Sequence, residues 1–118
     1  MSFSKSTATI GALIGIFLSA LAVGAGSISS AQVLGVRVDR EGNGLVIFDR
    51  PVGAAPPGCV IAYYANALAF NANEVGGKAI LALALSAKAS GDPVTAHGTG
   101  TCAIYGHSVE DWSTGQTE

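Results

Sequence analysis

The sequence predicts a small, mostly β domain with one α-helix, preceded by an export signal. Short stretches of β-branched and aromatic residues alternate with turn-forming glycine, proline and asparagine, which is typical of short strands. One alanine- and leucine-rich stretch has helical length, and an uncharged apolar run stands near the start of the chain. What remains of the 118 residues after such a signal is long enough for one domain only.

Residues 1–31 have the organisation of a secretory signal peptide. Lys5 precedes an apolar run at 10–23, and small residues follow as far as Ala31. A membrane-spanning helix needs about 20 mostly apolar residues, and this run is shorter and interrupted by glycine. We therefore expect cleavage after Ala31, a mature domain of residues 32–118 with no stable membrane span, and a secreted or periplasmic location. An uncleaved membrane anchor is the alternative.

The charge of the chain argues against a nucleic-acid or anionic-membrane partner. Six lysine and arginine residues stand against eight aspartate and glutamate residues, giving a formal net charge of −2, and the basic residues are not clustered. Only 12% of the residues are charged, so small and apolar side chains must make up much of the surface. Such a surface favours self-association, and we expect a homo-oligomer.

Two cysteines, Cys59 and Cys102, fall in the predicted mature domain. An even number of cysteines in an exported chain predicts one structural disulfide. A reactive thiol and a pair of metal ligands are the alternatives, although the spacing is too wide for a zinc knuckle and no Cys-x-x-Cys occurs. We expect neither a metal nor a cofactor.

Three strands are predicted before the helix. Residues 33–40 alternate as a half-buried strand does, and a glycine-rich turn at 41–44 leads into a returning strand at 45–48. Residues 51–58 contain three prolines and are predicted to form a surface loop. Residues 59–64 (CVIAYY) have the β-branched and aromatic content of a third strand.

The helix is predicted over residues 78–90, where alanine and leucine predominate. Asn71 or Asn73 is the predicted N-cap. Gly91 follows the last turn, at the position that favours a left-handed glycine, and Pro93 prevents continuation. The leucines of this segment alternate and would also fit a strand, but its length and alanine content favour a helix.

Two strands are predicted after the helix, at 94–97 and at 101–105, with a glycine-containing turn between them. Residues 108–112 are a candidate continuation of the last strand, and residues 113–118 are expected to fray. The resulting β-β-β-α-β-β order predicts an OB-like five-stranded Greek-key barrel, with its helix between strands three and four. Other α+β meanders fit the same order.

Residues 77–105 (GKAILALALSAKASGDPVTAHGTGTCAIY) resemble a pattern in small exported bacterial proteins. In that pattern an Ala/Leu helix ends in Ser-Gly-x-Pro-Val, enters a strand and reaches a Gly-Thr-Cys hairpin. The same passage is similar, more distantly, to the B subunits of AB5 toxins of the subtilase-cytotoxin type. The resemblance implies an OB-fold, assembly into a pentameric ring and binding of cell-surface glycans. It covers about a third of the predicted mature chain and identifies no sugar-binding residue.

Candidate catalytic and metal-binding residues are few. His97, Cys102 and His107 lie close in sequence, with Glu110 and Asp111 beyond them, but none falls at a recognised ligand spacing. The chain has no Gly-x-Ser-x-Gly motif, and Gly98-Thr99-Gly100 joins two predicted strands and does not open a helix. We therefore expect no catalytic residues and no enzymatic activity.

Four aromatic side chains are candidate sugar-binding residues: Tyr63, Tyr64, Tyr105 and Trp112. A sugar ring stacks on a flat aromatic face, and tyrosine and tryptophan keep a hydrogen-bonding group at their edge. Neighbours in a strand point to opposite faces, so only one of Tyr63 and Tyr64 belongs in the core. Core packing of these rings, with one of them partly exposed, is the alternative.

The helix is the best indication of a subunit interface. Projection at the helical period places Ile80, Leu83 and Ala87 on the side that faces the barrel. Leu81 and Leu85 form a second apolar stripe, which an isolated domain would leave half exposed. We expect this stripe to pack on another subunit.

Together these features predict a small exported binding protein, with a glycan or another cell-surface component as its ligand. A structural or accessory periplasmic protein, or an inhibitor-like partner of another exported protein, is the alternative. Glycan binding would favour the first class, and one dominant protein partner would favour the second.

Overall fold

The computed structural model describes residues 24–118, so most of the predicted signal peptide, residues 1–23, lies outside the described part. Over residues 24–118 the chain forms seven strands and one α-helix: β1 (Gly26–Ala31), β2 (Val33–Val38), β3 (Asn43–Phe48), β4 (Gly53–Ala54), β5 (Ala67–Asn71), α1 (Val75–Ser90), β6 (Val94–Gly98) and β7 (Trp112–Thr117). A single turn of 3-10 helix spans Ala62–Tyr64. The expectation of a mostly β fold with one helix is confirmed. Among these residues, no helix is both long enough and apolar enough to span a membrane.

The strands form two antiparallel sheets, in the orders β4-β1-β6-β7 and β2-β3-β5. Only Gln32 separates β1 from β2, so one continuous stretch of chain passes from the first sheet into the second. On the opposite side, a parallel bridge joins Ala69 of β5 to Asp111, the residue before β7. The two sheets are therefore connected at both sides, with the core between them.

β1 consists of residues that the sequence assigns to the end of the signal peptide. It lies between β4 and β6, and Ile28 and Ala31 are buried in the main core. Cleavage after Ala31 stays a prediction, and it would remove this whole strand from the sheet.

The first predicted hairpin is confirmed as β2 and β3, which pair from Val33–Phe48 to Val38–Gly44. Asp39 organises its turn, because one carboxylate oxygen accepts hydrogen bonds from the backbone N–H groups of Glu41 (2.9 Å) and Asn43 (3.0 Å). Gly42 has a φ of 93°, in the left-handed region where glycine carries no steric penalty.

The predicted helix is present and extends one turn further towards its N-terminus, to Val75. Its N-cap residue is Glu74, with no side-chain capping bond, so the prediction of Asn71 or Asn73 as the cap is wrong. Asn71 instead accepts a hydrogen bond from the N–H of Asn73 (2.9 Å), in a turn that joins β5 to α1. Gly91 ends the helix in the left-handed conformation, with a φ of 78°, as predicted.

The predicted third strand at 59–64 is wrong: this segment is a loop that ends in the 3-10 turn. The strand that pairs with β3 is β5, with the sequence ALAFN. Leu68 and Phe70 are fully buried there, so burial against the core selects β5 over the more β-prone segment before it. Its alanine content made it inconspicuous in the sequence.

The predicted strand at 101–105 and the predicted frayed tail at 113–118 are also wrong. Residues 101–105 form a loop, whereas residues 113–117 form most of β7. This strand pairs with β6 from Val94–Thr117 to Gly98–Trp112. β7 lies at the edge of its sheet, where polar residues are common. Its end is held by Glu118, whose pKa is lowered by hydrogen bonds from the hydroxyls of Thr95 and Ser30.

The main core lies between the two sheets and α1. Its largest fully buried side chains include Phe48, Phe70, Leu68 and Val94. Trp112 stacks on Phe48, with ring centroids 6.2 Å apart. A smaller cluster of Leu45, Ala67, Ala69 and Val109 forms a second apolar centre, covered by Tyr64, Ile104 and Tyr105. Tyr64 and Tyr105 thus cover this smaller cluster, which we call the minor core, and both remain partly exposed to solvent.

Candidate functional site

Three of the four predicted sugar-binding aromatics meet on one surface. The ring centroids of Tyr63 and Tyr64 are 5.0 Å apart at an interplanar angle of 74°, and those of Tyr64 and Tyr105 are 5.8 Å apart at 77°. Both are edge-to-face pairs, the geometry that the quadrupoles of aromatic rings favour. We call these three rings, with Arg37 and the adjoining depression, the tyrosine surface.

Trp112 is not part of the tyrosine surface, because it is buried to 7% exposure in the main core. The expectation that Tyr63 and Tyr64 point to opposite faces of a strand does not apply, since both belong to the 3-10 turn. Tyr63 is 78% exposed, whereas Tyr64 is half-buried over the minor core. The turn therefore presents one ring to solvent and anchors the other.

The predicted disulfide between Cys59 and Cys102 is confirmed, with Cα atoms 6.2 Å apart. It joins the loop that leads to the 3-10 turn to the loop that carries Tyr105. The same two loops are also joined by a hydrogen bond from the N–H of Ile61 to the carbonyl oxygen of Ser108 (3.1 Å). The crosslink therefore sets the relative position of the tyrosines.

The loop of residues 99–111 is organised around the carboxylate of Asp111, which is 6% exposed. This carboxylate accepts hydrogen bonds from the N–H groups of Ala103 (2.9 Å) and Ile104 (3.0 Å) and from the hydroxyl of Thr101 (3.1 Å). These backbone groups would otherwise need partners in a strand, which is why 101–105 forms a loop despite its composition. The loop is held in one shape immediately before Tyr105.

Replacing Asp111 by asparagine is expected to lower the free energy of unfolding by about 2 kcal/mol. Both carboxylate oxygens of Asp111 accept hydrogen bonds, whereas in asparagine only the amide oxygen can accept them. The near-ultraviolet circular dichroism of the tyrosines should weaken in the same variant. Asp92→Asn, at an exposed position after α1, is the matched control and should change neither measurement. An Asp111→Asn protein as stable as the wild type would show that the loop does not depend on this carboxylate.

Arg37 brings a positive charge to the tyrosine surface. It projects from β2, and its guanidinium Nη1 donates a hydrogen bond to the hydroxyl of Tyr105 (3.4 Å). Hydrogen bonding to Tyr105, and secondarily to Tyr64, raises the pKa of Arg37, so the side chain stays cationic. The surface therefore combines aromatic faces with one fixed donor group.

A shallow depression of about 280 Å³ adjoins the rings. It is lined by Asp39, Asn43, Tyr64, Ile104, Tyr105, Gly106 and Ser108. Its wall is aromatic, and its polar groups come from the β2–β3 turn and from the 99–111 loop. An aromatic wall beside carboxylate, amide and hydroxyl groups suits a small polar ring better than an apolar ligand.

A second cavity, of about 150 Å³, lies under the proline-containing loop. Its lining is almost entirely aliphatic: Val52, Pro56, Pro57, Val60, Ile61, Ala62, Ala65 and Ala67, with Glu110 as its one charged residue. Several converging polar groups are typical of a specific ligand site. The tyrosine surface meets that description and this cavity does not.

The histidines and acidic residues at the end of the chain do not form a metal site in the structure. His97 is exposed on β6, and Nδ1 of His107 lies 3.1 Å from the carbonyl oxygen of Cys102. Glu110 and Asp111 are buried and bind backbone N–H groups. Within residues 24–118, no group of three or more histidine, cysteine or acidic side chains is placed to hold a metal ion.

The predicted apolar stripe on α1 is divided by the fold. Leu81 is partly buried against the main core, whereas Leu85 is 51% exposed. Ala84 and Ala87 are the helix residues packed most deeply, with Ile80 and Leu83 partly buried beside them. Of the two leucines of this stripe, Leu85 is therefore the exposed one, and a subunit interface there stays a prediction.

No protein family, curated protein or solved structure matches this chain. The function must therefore be inferred from the geometry of the tyrosine surface and from the chemistry that its side chains offer.

Proposed function

We propose that the protein is an exported glycan-binding module and that the tyrosine surface is its ligand site. The observation that carries the proposal is a depression with polar groups that Tyr64 and Tyr105 line, beside which Tyr63 packs on Tyr64 and Arg37 donates a hydrogen bond to Tyr105. The face of a sugar ring stacks on aromatic rings, while its hydroxyl groups need nearby donors and acceptors. The disulfide supports an oxidising, non-cytosolic location.

We further propose that the fold is an OB-type barrel. If β1 and β2 count as one strand that bends at Gln32, then the element order is that of the five-stranded barrel with its helix before strand four. The parallel bridge between Ala69 and Asp111 would close it. Cross-strand nuclear Overhauser effects between the backbones of these two residues test this arrangement, and their absence would contradict a closed barrel.

The position of the tyrosine surface fits this barrel. OB-folds bind oligosaccharides and oligonucleotides on the face of strands two and three, between the first-to-second and fourth-to-fifth strand loops. The corresponding loops here are the β2–β3 turn and residues 99–111, which together line the depression. This support is an analogy between folds, so the side chains themselves remain the main argument.

A homo-oligomer is part of the same proposal. Leu85 supports it, because a large apolar side chain that is 51% exposed on α1 is available to a second subunit. Light scattering on the purified protein measures the oligomer directly. A monomer at all accessible concentrations would contradict this part and leave the glycan site to be tested separately.

Replacement of Tyr63 tests the ligand site most cleanly. Because Tyr63 is 78% exposed, Tyr63→Ala should leave the fold intact and weaken glycan binding by about tenfold, the value of one stacked ring. The ligand is first identified on a glycan array, and affinities are then measured by calorimetry. Val75→Ala, at an 88% exposed position on α1, is the control and should bind like the wild type.

The absence of any array signal for the native protein would contradict glycan binding. The alternative is then an accessory protein or an inhibitor-like partner of another exported protein. The observation in its favour is that Ile61, which is 48% exposed, precedes the exposed Tyr63 by two residues, and aromatic side chains are enriched in protein interfaces. Pull-down of one dominant exported protein, lost in Tyr63→Ala, would support it.

A further inference from the structure

Glu110 is a buried carboxylate with an unusual set of partners. It is 1% exposed, and it accepts hydrogen bonds from the N–H of Gly26 (3.2 Å to Oε1 and 2.9 Å to Oε2) and from the N–H of Gly100 (2.9 Å to Oε2). Ion pairs among residues 24–118 join Arg40 to Glu41 and Arg50 to Asp49, and none of them includes Glu110. A buried carboxylate without a cation carries a large desolvation cost.

The carboxylate is fitted closely against the start of β1. A Cβ atom on Gly26 would lie 2.5 Å from its Oε1 atom, and a Cβ on Gly98 would overlap the carboxylate itself. Gly26 itself is buried in the chain that carries Gly24 and Ala25. A cation at the nitrogen of Gly26 would therefore lie in direct contact with the carboxylate of Glu110.

The sequence before Gly26 has the character of a signal-peptidase site. The apolar run ends at Val23, and the two small residues Gly24 and Ala25 stand between it and Gly26. Cleavage at this bond would leave every strand of both sheets in the mature protein. Cleavage after Ala31 would instead remove β1, which pairs with β6 from Ser27–His97 to Ala31–Val94.

We propose that signal peptidase cleaves the bond between Ala25 and Gly26, and that the new α-ammonium group of Gly26 is the cation that pairs with Glu110. Cleavage is hydrolysis by one water molecule during export, before the chain folds. The C–N bond breaks, the hydroxyl group of water goes to the carbonyl carbon of Ala25, and a hydrogen goes to the nitrogen of Gly26. At neutral pH the new carboxyl group loses a proton and the new amine gains one.

The pairing converts a hydrogen bond between a carboxylate and a neutral backbone N–H group into an ion pair between a carboxylate and an ammonium group. The nitrogen of Gly26 already lies within hydrogen-bond distance of both oxygens of Glu110, and an ammonium group has three donors to direct at them. Processing would thus add an ion pair to Glu110 that the precursor lacks. This inference is independent of the glycan proposal, since neither the amine nor Glu110 belongs to the tyrosine surface.

The first experiment expresses the full chain in an export-competent bacterium and determines the intact mass and the N-terminal sequence of the exported protein. We expect the mature chain to begin at Gly26. A start at Gln32, a start upstream of Gly26 or an uncleaved chain would each overturn the proposal.

The second experiment measures carbamylation of the α-amine of the exported protein by cyanate at neutral pH. Cyanate attacks the uncharged amine, and an ion pair raises the pKa of the amine, so the reaction should slow about tenfold. Lys78 and Lys88, both exposed, serve as internal references. Equal rates of reaction at the α-amine in the folded protein and in the protein unfolded in guanidinium would contradict the ion pair. This comparison uses the wild-type chain and needs no variant.

Glu110→Gln then isolates the charge, because glutamine keeps the shape and an accepting oxygen. The α-amine of this variant should react about tenfold faster than that of the wild type. Glu41→Gln, which alters an exposed carboxylate paired with Arg40, is the control and should react like the wild type. An unchanged rate in a folded Glu110→Gln protein would contradict the ion pair.

Discussion

Replacing Cys59 and Cys102 together by serine is expected to lower the free energy of unfolding by about 4 kcal/mol. The disulfide closes a separation of 43 residues, so its removal frees a long segment of the unfolded chain. The native state loses stability as well, because the two loops that the crosslink joins have little regular structure. Guanidinium unfolding of the double variant measures the effect.

The wild type under a strong thiol reductant is the matched control for the cysteine variant. It should unfold at the same lower denaturant concentration as the double variant, because both lack the same bond. Glycan affinity should fall in parallel, since the disulfide positions the tyrosines. Unchanged stability in both samples would show that the loops hold their positions through other contacts.

Replacing Gly77 by alanine is expected to destabilise the protein by about 3 kcal/mol, at the upper end of the range for overpacking. A Cβ atom at Gly77 would overlap the backbone carbonyl of Asn71, at the end of β5, and backbone cannot move aside as a flexible side chain can. The glycine therefore allows the first turn of α1 to lie directly against the end of the strand that precedes it. Thermal and denaturant unfolding measure the loss.

Gly76 provides the control, because it is the preceding residue of the same helical turn and a Cβ atom there would meet nothing within 4 Å. Gly76→Ala is expected to stabilise the protein by up to about 1 kcal/mol, since alanine is the better helix former. The two neighbouring substitutions should thus have opposite signs. A Gly77→Ala protein as stable as Gly76→Ala would show that α1 can shift away from β5 at little cost.

The elements that could be predicted from the sequence are those whose residue pattern, turn residues and end signals lie within the element itself. The β2–β3 hairpin has alternating residues and a glycine-rich turn, and α1 has helix formers followed by Gly91 and Pro93. Each signal lies within a few residues of the structure that it specifies. These elements were therefore predicted correctly, apart from the first turn and the cap of the helix.

The strands that were missed depend on distant partners. β5 is a strand because Leu68 and Phe70 fill the core, and β7 is a strand because it completes the edge beside β6. Conversely, 59–64 and 101–105 have strand-like composition, but the disulfide and the carboxylate of Asp111 hold them as loops. Tertiary contacts outweigh β propensity in all four segments.

The candidate site was predictable in its aromatic members and not in its polar ones. Tyr63, Tyr64 and Tyr105 were named from their chemistry, and the disulfide between their loops was named from the cysteine count. Arg37 and Asp39 join them only because β2 and its turn lie beside the 99–111 loop. No sequence signal distinguishes the buried carboxylates of Glu110 and Asp111 from exposed ones.

The arrangement of the first sheet has a consequence for the order in which the chain folds. β1 pairs with β6, and the side chain of Glu118 binds that of Ser30 across 88 positions of sequence. Contacts between such distant residues form slowly, because a long loop must close before they give any stability. The first sheet therefore cannot be completed until the chain has been synthesised as far as β7 and Glu118.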